Sequence, residues 1–197
     1  MTQSPELHQE LLSYAARLVV EEGANYQQAK QQAARYLGLS SYTTLPSNEL
    51  LEDAVIQHIQ LFYADTQPLE LKKLRLVALT WMRRMKNFSP YLSGPVWHGS
   101  ATRLSDIYIQ IFCDDPKAAE IHLINQNISY TAAELKGIHK KMVYTLCAAE
   151  LIPEWQQQVL IYISVYNTDD MRGALKPDSK GRAPRGNIRA VQELLSL

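Results

Sequence analysis

Trp97-His98-Gly99-Ser100, followed after Ala101-Thr102-Arg103-Leu104 by Ser105-Asp106-Ile107-Tyr108-Ile109-Gln110-Ile111-Phe112, decides how this chain is read. It reads as strand, Gly-Ser turn and strand, with an acid opening the second strand. Across 106–112, Ile107, Ile109 and Ile111 fall on one face, and Asp106, Tyr108 and Gln110 on the other. Successive side chains of a strand point to opposite sides, so this is a strand with one face in a core and one polar face.

Working outward, Asp115-Pro116 is a helix start, with Asp as cap and Pro in the first turn. That helix runs to about Gln126. Strand candidates follow at about 128–134, 141–150 and 158–166, and the last, Val159 to Tyr166, is apolar enough to be central. Strand, strand, helix and three strands make an α+β domain. The earlier residues read as helices. Pro5 follows a capping Ser4, and Leu7, Leu11, Leu12, Ala15, Leu18 and Val19 recur at helical spacing up to Gly23. A second helix spans about 26–37. A third follows Pro46-Ser47-Asn48-Glu49 to about Tyr63, and a fourth spans about 69–87, before Pro90. The expected organisation is a helical region, 1–90, and an α+β domain, 91–197. The segment 171–186 reads as a loop, and a short helix closes the chain from about Asn187.

Of the 197 residues 46% are apolar, enough for a real core. Lys plus Arg and Asp plus Glu number 20 each, so no whole-molecule field draws in nucleic acid. The charge is uneven: residues 91–170 carry nine acids and five bases, and 171–197 two acids and six bases. Cys113 and Cys147 have no CxxC or His/Cys spacing around them, and read as reduced thiols. The N-terminus lacks the basic and apolar regions of a signal peptide, and no run reaches the ~20 apolar residues needed to cross a bilayer. The expectation is a cytoplasmic protein without a membrane partner.

Residues 94–112 resemble the DNA polymerase β-like nucleotidyltransferase superfamily, whose motif is an apolar strand, Gly-Ser, a spacer, then Asp-x-Asp opening the next strand. The whole chain is further similar to a group of uncharacterised bacterial proteins grouped with the nucleotidyltransferases. The resemblance implies a small mixed sheet with flanking helices and a nucleoside triphosphate as ligand. It also implies Mg²⁺ as cofactor, with Gly99 and Ser100 at the phosphates and Asp106 as metal ligand and catalytic residue. Glycine lets backbone approach phosphate, and paired carboxylates at i and i+2 hold two Mg²⁺ ions across the transferred group.

The sequence departs from that plan at Tyr108, which stands where the second aspartate belongs. A phenol with a pKa near 10 is a poor Mg²⁺ ligand. A third carboxylate is to be sought among Glu134, Glu150, Asp169 and Asp170. Two readings follow. An active enzyme would direct an acceptor hydroxyl onto the α-phosphate and release pyrophosphate; a degenerate module would bind nucleotide, RNA or a protein without turnover. Tyr108 reads either as a base-stacking ring or as an ordinary sheet aromatic. Asp106 and the Gly-Ser pair also read as plain turn chemistry, and His98 as structural.

Two basic constellations remain. Lys72, Arg75, Arg83 and Lys86 share an arc of about 80° on the fourth helix, either a solvated face or a phosphate-facing stripe. Arg172, Lys176, Lys180, Arg182, Arg185 and Arg189 follow, interrupted by Gly and Pro. They read as a solvated tail, as a loop folding over an anion, or as a counterweight to Asp169-Asp170. Arg103, Arg172 and Lys176 are the phosphate candidates. A third possibility is an RNA-binding protein using stripe and tail, although no aromatic is interleaved in the tail.

Overall fold

The computed structural model describes residues 5–40, 43–136, 141–171, 177 and 181–196. The chain divides into two compact units, 1–70 with 99–104, and 71–98 with 105–197. The division between these units does not coincide with residue 90. It falls within the fourth helix, because the later part of that helix packs with the sheet.

In the first unit, α1 (Pro5–Glu22), α2 (Tyr26–Tyr36) and α3 (Asn48–Phe62) enclose a core of Leu11, Ala15, Leu18, Ala29, Ala33, Leu51, Val55 and Ile59. Alanines at these positions let helices approach closely, and each large apolar side chain contributes about 1.5–3 kcal/mol on burial. Asn25 caps α2 in a reciprocal box with Gln28, and Ser47 accepts from the Leu50 N–H at 3.2 Å. Gly23 ends α1 at φ +69°. The Ser4 cap lies outside the described residues.

The second unit is built on a six-stranded mixed sheet in the order β3-β4-β5-β2-β1-β6. Its strands are β1 (Tyr91–Ser93), β2 (Ile107–Phe112), β3 (Thr131–Lys136), β4 (Met142–Ile152), β5 (Gln157–Tyr166) and β6 (Arg185–Asn187). Only the β2–β5 pair is parallel. β5 lies inside the sheet, as its apolar run predicts. One sheet face carries Ile107, Ile109, Ile111, Ile161, Ile163 and Leu146, all fully buried. This face is covered by the later part of α4 (Gln67–Arg84) and by α6 (Pro116–Asn125). Trp81 Nε1 donates to Glu150 on β4 at 2.9 Å, and Tyr144 donates to Glu120 on α6 at 2.6 Å. Asp115 caps α6, and Asn187 caps the closing helix α7 (Ile188–Ser196).

Two local expectations fail. Val96 to His98 is not a strand: β1 ends at Ser93, and Gly94–His98 forms a short helix, α5. Gly94 at φ +69° turns the chain out of the strand, and Pro95 suits the first turn of a helix. The basic tail is not wholly loop either. Arg185–Asn187 forms β6, paired with β1 at the sheet edge.

Candidate functional site: the open face of the sheet

The strand alternation that buries the isoleucines turns Asp106, Tyr108 and Gln110 to the opposite face. The register carries that face across the sheet. Arg185 pairs with Ser93, Ser93 with Tyr108, Tyr108 with Tyr162, Tyr162 with Cys147, and Cys147 with Thr131. These six residues form one row over all six strands. A second row holds Asn187, Tyr91, Gln110, Ser164 and Thr145. Tyr108 is 36% exposed where its isoleucine neighbours are sealed. This face is polar and aromatic, partly exposed at Tyr108 and buried at Ser93, Thr145 and Arg185.

Its centre is a pair of stacked rings. Tyr108 and Tyr162 lie with centroids 5.3 Å apart and planes 10° from parallel, within the range of favourable aromatic pairs. Gly94 makes room for Tyr108, since a Cβ there would lie 3.2 Å from the ring. Asp106 stands just before β2 and accepts the Leu160 N–H. Burial raises its carboxyl above the ordinary range, and the hydrogen bond works against that. Burial, then the charge of Asp106, pushes the Tyr108 phenol up to about 12. The same two causes raise Tyr162 and the Cys147 thiol. Asp106, the two phenols and the thiol thus each hold their protons more tightly than the free groups do.

These donors do not fit a pair of Mg²⁺ ions. Asp106 supplies one carboxylate, and a phenol that ionises only near 12 supplies no hard anionic oxygen at the second position. The candidates for a third carboxylate do not share the face. Glu150 falls in register with the buried side of β4, where it binds Trp81 Nε1 at 2.9 Å and Arg84 at 3.2 Å. Glu134 pairs with Tyr144, again on the helix-covered side. Asp169 and Asp170 are exposed in a 3₁₀ turn after β5. Among the described residues no group of three His, Cys, Asp or Glu side chains is arranged to hold a metal.

Gly99, Ser100 and Arg103 belong to the first unit, and Asp106 and Tyr108 to the second. The Ser100 hydroxyl is 2% exposed, and it lies 3.4 Å from a Glu52 carboxylate oxygen and 3.5 Å from the Tyr26 hydroxyl. An acid at that distance repels phosphate. The carbonyls of Gly99 and Ala101 accept from Gln67 Nε2 at 3.0 and 2.7 Å, and the Arg103 N–H donates to Glu70 at 3.0 Å. The Gly-Ser segment is a hydrogen-bonded turn. In the helix stripe, Arg75 donates to the carbonyls of Val96 and Trp97 and so caps the end of α5, while Lys72, Arg83 and Lys86 are exposed. Arg172, Lys176 and Lys180 lie outside the described residues.

Sequence reasoning missed Tyr162, Ser164 and Cys147 as members of this face, and placed Arg185 in the basic tail without its register. The signal for the first two was present, because Tyr162, Ser164 and Tyr166 alternate with Ile161, Ile163 and Val165. A run read as largely apolar has a polar side.

Fold and site thus define an α+β unit with one helix-covered sheet face and one polar, aromatic face. Comparison with known protein families, characterised proteins and solved structures finds no match for this chain.

Proposed function

We propose that the second unit is a nucleotide-binding module of the nucleotidyltransferase type, which binds its ligand without transferring a nucleotidyl group. The observation that carries this reading is the stacked Tyr108–Tyr162 pair beside the lone carboxylate Asp106 on the polar sheet face. An aromatic pair offers a base a sequence-tolerant contact, worth about 1–3 kcal/mol. A half-buried carboxylate accepts hydrogen bonds from base amino groups or ribose hydroxyls. The sequence resemblance supports the ligand class, and the donor set argues against two-metal chemistry.

The test is a thermal-shift panel of the four nucleoside triphosphates, with and without Mg²⁺ or Mn²⁺, run beside a pyrophosphate-release assay. A ligand at ~100 times its Kd adds about 2.7 kcal/mol of stability. The expected result is a shift with a nucleotide that needs no metal and no pyrophosphate release with any acceptor tried. A shift that requires metal, with turnover abolished by Asp106→Ala, would establish the transferase instead.

A further inference from the structure

Arg185 is 8% exposed, yet it forms no ion pair among the described residues. Its Nη1 donates to Gln110 Oε1, and its buried Nε has no hydrogen-bond partner. A buried guanidinium without a counter-charge is costly, and an unfilled N–H in a native structure calls for an explanation. Arg185 is the first residue of the row that continues through Ser93 to Tyr108 and Tyr162. The bond to Gln110 draws its guanidinium inward over β1 and β2, away from the sheet edge. Strands lie ~4.8 Å apart, so its Cα stands roughly 10 Å from that of Tyr108. That separation suits a nucleotide whose base contacts the tyrosines.

From this placement we infer that Arg185 is the phosphate ligand of this sheet face, and that the module takes phosphorylated nucleosides in preference to nucleosides. The inference rests on the nucleotide reading above. Guanidinium groups meet phosphate through two parallel N–H donors, and the unfilled Nε is one such donor. Trp97 holds the arginine at this position from the other face. Its ring lies against Gly186, and its Nε1 donates to the Ala183 carbonyl at 2.7 Å.

Calorimetric titration with the four ribonucleosides, their triphosphates and inorganic pyrophosphate tests this on wild type and on Arg185→Gln. Wild type should bind pyrophosphate, and bind one triphosphate at least about tenfold more tightly than its nucleoside, the effect of one charge-assisted hydrogen bond. Arg185→Gln should erase both and leave nucleoside affinity unchanged. A triphosphate preference that survives the substitution overturns the assignment. Should the variant not fold, the Arg185 Nε–H resonance of the wild type replaces it, located with Arg185→Lys. A shift of that resonance on saturation with pyrophosphate supports the inference, and an unmoved resonance overturns it. Pyrophosphate sensing by Arg185 without nucleoside binding keeps the arginine and rejects the nucleotide reading. Nucleoside binding with a silent Arg185 does the reverse.

Discussion

Trp97 and Gly186 are in contact so close that no other residue fits: a Cβ on Gly186 would lie 2.1 Å from Trp97 Cζ3. The short strand β6 is positioned through this contact, and Arg185 is positioned with it.

Gly186→Ala should therefore destabilise the protein by about 1–3 kcal/mol, the usual range for overpacking a filled site. Urea denaturation measures the loss, and it should come with weakened pyrophosphate binding, since β6 must shift to admit the methyl. A neutral effect on both would mean that the Trp97 ring moves aside freely.

The stacked tyrosines give a second expectation. Tyr162→Ala and Tyr108→Ala should each weaken nucleoside binding by on the order of tenfold, following the worth of one base–aromatic contact. Tyr108→Phe keeps the ring and should retain most of the affinity. Equal losses in Phe and Ala variants would assign the contact to the hydroxyl.

Glu150 lies on the other side of the sheet, bound to Trp81 and Arg84. Glu150→Ala should cost about 1–2 kcal/mol in stability, because the buried indole N–H loses its charged acceptor. Nucleotide affinity should not change. A selective loss of Mg²⁺-dependent binding with intact stability would restore Glu150 as a metal ligand.

Restoring the missing acid tests the degeneracy from the opposite direction. Tyr108→Asp places two carboxylates on one face of β2, and should introduce weak Mg²⁺ dependence into nucleotide binding. It should not produce pyrophosphate release, since Glu134 and Glu150 do not share that face. Release of pyrophosphate by this variant would show that one substitution separates the module from an enzyme.

The pH dependence follows from Asp106. Burial raises its carboxyl above the ordinary 3.8, so the folded protein binds this proton more tightly than the unfolded chain does. The stability this gives is full below 3.8 and is lost as pH rises through the folded-state value. Asp106→Asn should flatten the stability profile over that window and match or exceed wild type at pH 7. Denaturation midpoints at several pH values measure it. A variant weaker than wild type only at neutral pH would point to a stabilising cation near the carboxylate.

Much of this was legible in the chain. The apolar spacing of 5–22, the Asn48 start of α3 and the Asp115-Pro116 cap each specify local structure through side chains close in sequence. The alternation of 106–112 told correctly which residues leave the core. Local pattern failed at Val96–His98, read as a strand, while the strand that pairs with β2 is Tyr91–Ser93. It failed again at Arg185, which reads as one more basic residue of a tail.

By itself the sequence determined the α+β class, most helices and caps, and the polar side of β2, because these depend on period and neighbours a few residues apart. Only the tertiary structure decided which acids share a face with Asp106, that Ser100 faces Glu52, and that Arg185 joins the row of Tyr108 and Tyr162. Those facts depend on strand register and on contacts between residues tens of positions apart, which burial and hydrogen bonding select among many arrangements compatible with the same local pattern.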